Sequence, residues 1–126
     1  MTRIVIVDHH AAFRQSLRFM LQEISAEIEI TEVDCSLKFI ALLDHFSPDL
    51  VLMDSRMQDR TGIETAEIAL VKFPALRILL ISMFNENKYI KEAKNAGLKG
   101  LIPKPPTLKE LKDAYLGIMK GGFYFP

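Results

Sequence analysis

Short apolar runs alternate with stretches of helical periodicity along the whole chain, and that alternation leaves few folds open to it. Arg3 to Val7 reads as a buried strand, after which Phe13, Leu17, Met20, Leu21 and Ile24 recur at the spacing of one helical face. Glu27 to Val33 carries Ile28 and Ile30 in alternation, as in a half-exposed strand near a sheet edge. Leu37, Ile40, Ala41 and Leu43 mark a second helix, ended by Ser47-Pro48 because proline disfavours helical geometry in the residue before it. Leu50 to Met53 is continuously apolar, as befits a central strand covered on both faces. The polar segment Asp54 to Thr61 is a loop ending at Gly62, and Ile63, Ala66, Ile68 and Leu70 fill a third helix. Pro74 turns the chain into a strand from Arg77 to Ile81. A more polar helix from Asn85 to Asn95 then has Tyr89, Ile90 and Ala93 as its buried face. Gly97 suits the left-handed residue after a helix end, and Leu101-Ile102 is a short strand. Thr107 with Glu110 fits a capping box that opens a last stripe of Leu108, Leu111, Ala114, Tyr115 and Ile118.

Five strand–helix units with no linker between them predict an α/β fold, a doubly wound parallel sheet with helices on both faces. A single domain over residues 1–126 is expected, and an apolar content of 49% supplies one sizeable core. Sixteen basic side chains cancel sixteen acidic ones, so net charge draws the chain to neither nucleic acid nor an anionic membrane. Cys35 is the only cysteine and has no internal partner. No apolar stretch approaches the roughly 20 residues that span a bilayer. Met1-Thr2-Arg3-Ile4 lacks a signal-peptide layout, so a cytoplasmic location is expected.

In such sheets, ligands bind beyond the carboxyl ends of the strands. Asp8, Asp54, Ser82 and Lys104 each stand where an apolar run stops. Polar residues commonly end strands, and one alone would mean little. Together they form a chemically matched set. A carboxylate such as Asp54 can attack a phosphoryl donor, and the charge that develops calls for a hydroxyl, an ammonium and a divalent metal. Ser82 and Lys104 supply the first two, and Asp8 with Asp54 offers carboxylates to a hard ion such as Mg²⁺.

Ile4 to Asp8, Pro48 to Asp54, the Met57-to-Gly62 loop, Ile78 to Ser82 and Ala96 to Pro105 together resemble the receiver domains of two-component response regulators, the CheY-like family. The resemblance runs along essentially the whole chain. Phe13-Arg14 and Gly121-Gly122-Phe123-Tyr124 look most like receivers that precede a LuxR-type helix-turn-helix, the NarL/FixJ type. It implies a flavodoxin-like three-layer (βα)5 sandwich with strand order 2-1-3-4-5. It implies Asp54 as phosphoacceptor, Ser82 as switch hydroxyl and Lys104 as phosphate-binding lysine. Mg²⁺ would be held by Asp8, Asp54 and the Arg56 backbone carbonyl. The implied partners are a sensor histidine kinase and a second copy, met through the fourth helix, fifth strand and fifth helix. DNA would be bound only through a further domain of a longer regulator.

Four positions depart from the family pattern. His9 replaces the second metal-binding acid, and Gln58 stands where a proline usually follows the loop methionine. Met83 replaces a small residue and is bulky enough to narrow access to Asp54. Leu101 replaces the aromatic residue that often rotates on activation, which places it as a second switch position. His9 leaves three readings open. The receiver works with weakened Mg²⁺, since imidazole suits that ion poorly. Alternatively the domain is a phosphorylation-independent interaction module, with His9 in the metal position and Arg56 helping to neutralise Asp54. In the third reading His9, His10, Asp8 and Asp54 hold a softer ion such as Zn²⁺, against which stands the tendency of adjacent strand-end side chains to point apart. His10 is otherwise expected to face solvent at a helix start.

Rival functions are weaker. Asp8-His9-His10-Ala11 also looks like the signature of the DHH phosphoesterases, which are metal-dependent enzymes, but only seven residues precede it and the rest of that ligand set is absent. Nucleotide or flavin binding lacks a glycine-rich turn after the first strand. The expectation is a signalling domain, not an enzyme with a turned-over substrate.

Overall fold

The structure is a computed structural model describing residues 1–126. Its strands are β1 (Thr2–Val7), β2 (Ile28–Val33), β3 (Leu50–Asp54), β4 (Ile78–Ser82) and β5 (Gly100–Pro103). Its helices are α1 (Ala11–Ile24), α2 (Ser36–Leu42), α3 (Gly62–Lys72), α4 (Asn87–Asn95) and α5 (Leu108–Met119). All strand pairs are parallel, in the order β2-β1-β3-β4-β5. This is the doubly wound (βα)5 sandwich that the alternation predicts, with the strand order that the resemblance implies.

Side chains alternate across a strand, so each central strand feeds two cores. Val5, Val7, Val51, Met53, Ile78 and Leu80 pack with α2, α3 and α4 residues such as Phe39, Ala66 and Ile90. Ile4, Ile6, Leu50, Leu52, Leu79 and Ile81 pack on the other face with Leu17 and Leu21 of α1 and Leu111 and Ile118 of α5. Burial on both faces is why β3 and β4 read as unbroken apolar runs. β2 lies at one edge, half exposed as its alternation predicts. At the other edge Tyr124 pairs in parallel with Gly100 and covers part of β5.

Three helical stripes differ in detail from the expectation. Leu37 is 69% exposed and Phe39 takes its place in the core. Ile68 lies at the surface while Ala69 is buried, and Leu108 is exposed at the first turn of α5. In α2 and α3 a residue one or two positions away faces the sheet, a phase that a short helix does not declare, whereas in α5 the expected stripe simply begins one turn later, at Leu111. Tyr89 is half-buried, whereas Ile90 and Ala93 are buried as expected. Gly97, at φ 94°, holds the left-handed turn after α4.

Candidate functional site

The strand order reverses between β1 and β3, and the crevice at such a switch point lies beyond their carboxyl ends. Asp8 directly follows β1, Asp54 and Ser82 are the last residues of β3 and β4, and Lys104 directly follows β5. Asp8, Asp54 and Ser82 are all buried.

Lys104 bridges the two acids. Its Nζ lies 2.9 Å from Asp8 Oδ2 and 3.2 Å from Asp54 Oδ2, and 4.6 Å above the centre of the Phe13 ring. Burial raises the Asp54 pKa, and the neighbouring Asp8 charge adds to that rise against the pull of Lys104. Burial opposes the Lys104 ammonium, but the two carboxylates outweigh it and its pKa is raised. The crevice therefore holds two acids against one cation.

The turn carrying Asp8, His9 and His10 is braced from β2. Arg14 Nη1 donates to the Asp8 carbonyl at 2.6 Å, and Arg14 and Arg18 both bind the Glu32 carboxylate, at 2.9 and 2.8 Å. Burial opposes the Glu32 charge, yet the two guanidiniums hold its pKa below the usual value. The His10 backbone N–H donates to Asp8 Oδ1 at 2.7 Å. Below Asp54, α3 begins against the end of β3. A side chain at Gly62 would overlap the Asp54 carbonyl oxygen and Leu80, so only glycine admits that approach.

Several predicted roles are changed by this geometry. Arg56 forms no ion pair with Asp54; its guanidinium lies 5.6 Å over the Phe84 ring, and Lys104 is the neutralising cation. Met83 is 78% exposed and lies out in solvent. Leu101 is buried in the α2–α3–α4 core. His10 is exposed as expected, but its ring stacks on His9 with centroids 3.8 Å apart, and its Nδ1 lies 3.4 Å from Asp8 Oδ1. The two imidazoles do not point apart because β1 ends at Val7, so strand alternation does not govern them.

Other contributors were not legible in the sequence. Asp59 accepts the backbone N–H groups of Ser36 and Leu37, at 3.0 and 2.9 Å, tying the loop after Asp54 to the start of α2. Those bonds lower its pKa. Tyr89 approaches the Ser82 hydroxyl; burial raises its pKa, and the Ser82 and Ser55 hydroxyls oppose the rise. Ser82 Oγ itself accepts the Phe84 backbone N–H at 2.9 Å.

The donor set departs from what Mg²⁺ takes. That ion prefers an octahedron of oxygens. Here Asp8, His9, His10 and Asp54 each place a donor atom within 4.8 Å of the others, so two of the four are imidazole nitrogens. Asp8 and Asp54 suit Mg²⁺, whereas the histidines do not.

Comparison with known proteins agrees with the fold. The family model for the response regulator receiver domain matches residues 4–116. The response regulator protein VraR of Staphylococcus aureus is 30% identical over 124 residues, 98% of this chain and 59% of VraR. The transcriptional regulatory protein DegU of Brevibacillus brevis is 25% identical over 123 residues, 97% of this chain and 52% of DegU. The chain thus spans little more than half the length of these relatives. Among solved structures, the signal receiver domain of the putative response regulator NarL from Mycobacterium tuberculosis superposes with a TM-score of 0.84 at 30% identity, covering 95% of this chain and 97% of that one. These matches leave the phosphoesterase reading of Asp8-His9-His10 without support. With a family model matched over nearly its whole length, this chain belongs to the receiver domains of two-component response regulators.

Proposed function

We propose that the chain accepts a phosphoryl group on Asp54 from a sensor histidine kinase and signals by the change in shape and charge that follows. The observation carrying this reading is the Lys104 ammonium, set between Asp8 and Asp54 at the strand-order switch. An Asp54 carboxylate oxygen forms the new O–P bond as the N–P bond of the donor phosphohistidine breaks. The released imidazole nitrogen takes up a proton. Lys104 is close enough to meet the charge that develops on the phosphoryl oxygens, with no reorganisation of the backbone. A phosphoryl group adds about −1.5 to −2 charge near neutral pH. Lys104 would shift toward it, and the Ser82 hydroxyl would exchange its bond with the Phe84 N–H for one to the phosphate. Tyr89 and Phe84, with ring centroids 5.6 Å apart, would move with that exchange.

Mg²⁺ in this family screens the phosphoryl charge, and His9 in place of an acid weakens its binding here. The same reading places the domain in the cytoplasm as part of a longer transcription regulator, with DNA bound by a separate domain. It also pairs two copies through α4, β5 and α5.

Intact-mass analysis after incubation with acetyl phosphate and Mg²⁺ tests the reading. A phosphate adduct is expected on the native chain and none on Asp54→Ala. No adduct on the native chain, with one appearing in His9→Asp, would establish a phosphorylation-independent module instead.

A further inference from the structure

From the turn after β1 we infer that this receiver has exchanged a hard-metal site for a transition-metal site, with Zn²⁺ as the preferred class of ion and His9, His10, Asp8 and Asp54 as ligands. Lys104 engages the Oδ2 atoms of both carboxylates, which leaves their Oδ1 atoms for a metal. Asp8 Oδ1 accepts one backbone N–H and keeps further lone-pair capacity. Four ligands around Zn²⁺, with bonds near 2.0–2.1 Å, stand about 3.3 Å apart at the corners of a tetrahedron. His10 Nδ1 and Asp8 Oδ1, at 3.4 Å, already have that separation. All four donors lie within 4.8 Å, so closure needs side-chain shifts of roughly 1 Å.

His9 supplies an independent observation. Its Nδ1 is sealed from solvent and is the one buried side-chain polar atom in the protein without a hydrogen-bond partner. A buried donor or acceptor left in this way is costly, and a metal bound at His9 Nδ1 would relieve that cost. The brace from Glu32 through Arg14 to the Asp8 carbonyl holds the turn in place without an ion, so the site is largely preassembled. Two imidazoles and two carboxylates favour Zn²⁺, Co²⁺ or Ni²⁺ over Mg²⁺, which has little affinity for nitrogen.

The inference does not require that Asp54 accept phosphate, and its test is separate. Chelator-treated protein is titrated with Zn²⁺, Co²⁺ and Mg²⁺ by calorimetry, and the Co²⁺ complex is followed by its visible absorption. Zn²⁺ and Co²⁺ are expected to bind one per chain, roughly 100-fold tighter than Mg²⁺. His10→Ala and His9→Asp should each weaken Zn²⁺ by more than the roughly 100-fold that loss of a mere outer-shell partner can cost. His9→Asp should also tighten Mg²⁺. His10 is exposed, so its replacement leaves the fold intact and keeps the test decisive even if His9→Asp does not fold. The inference is overturned if Zn²⁺ binds no tighter than Mg²⁺. It is equally overturned if Zn²⁺ binding survives both replacements. A missing acetyl phosphate adduct would defeat the phosphoacceptor reading and leave these titrations unchanged.

Discussion

The two flanks of the crevice are built on different principles. On the β1–α1 flank the backbone of Asp8 is held twice, by Arg14 at its carbonyl and by the Val33 carbonyl at its N–H, and Arg14 is locked in turn by Glu32. On the β4–α4 flank, the bond from the Phe84 N–H to Ser82 Oγ is local, and Met83 and Phe84 are exposed. Charges that must meet a developing charge work best when they are fixed beforehand. A segment that must respond is drawn from the weakly held end of the stability range. The acid side is rigid and the hydroxyl side is free to move.

Replacing Lys104, which joins the two acids, breaks the arrangement most severely. Lys104→Met should cost about 3 kcal/mol at neutral pH in urea unfolding, because it strands two buried carboxylates. Since the Lys104 pKa is raised in the folded state, its contribution is complete below the ordinary lysine value of 10.5 and is lost as pH rises through the raised one. Next comes Glu32→Ala, which releases the brace. A loss of about 1 kcal/mol is expected, with faster hydrogen exchange at His10 and little change at Phe84. Equal acceleration on both flanks would show that the brace does not distinguish them.

Asp54→Asn should act in the opposite direction. Folding raises the Asp54 pKa, so ionisation of this group opposes folding. The penalty is absent below the ordinary value of 3.8 and complete above the raised one. The variant should therefore melt a few degrees higher at pH 7, and the gain should vanish in acid. Smallest in stability is Ser82→Ala, at about 0.5–1 kcal/mol, since one hydrogen bond is lost. It should nevertheless shorten or lengthen the life of any Asp54 adduct, which time-resolved intact mass would detect.

The apolar runs and the residues ending them made the sheet, its two cores and the Asp8–Asp54–Lys104 cluster legible, because strand order and strand-end position bring those groups together. Leu37 and Ile68 were misplaced because a helix of two or three turns accepts more than one phase, and Leu108 because it opens the first turn of α5, before the stripe reaches the sheet at Leu111. Asp59 was invisible as a cap: its partners Ser36 and Leu37 lie more than 20 residues away, and no local pattern records a loop closing on a distant helix. The stacking of His9 on His10 depends on backbone turn angles after β1, about which alternation is silent. Arg56 was assigned to Asp54 by sequence proximity, whereas Phe84 offered its guanidinium an aromatic face.

The pairing of Tyr124 with Gly100 has a mechanical consequence. Tyr124 N–H donates to the Lys99 carbonyl and its own carbonyl accepts from Leu101 N–H, both at 2.9 Å, so this segment is joined to the strand that Lys104 directly follows. A side chain at Gly100 would wedge the two apart. A displacement of Lys104 would therefore reach the Tyr124 pairing through only three to five residues of chain.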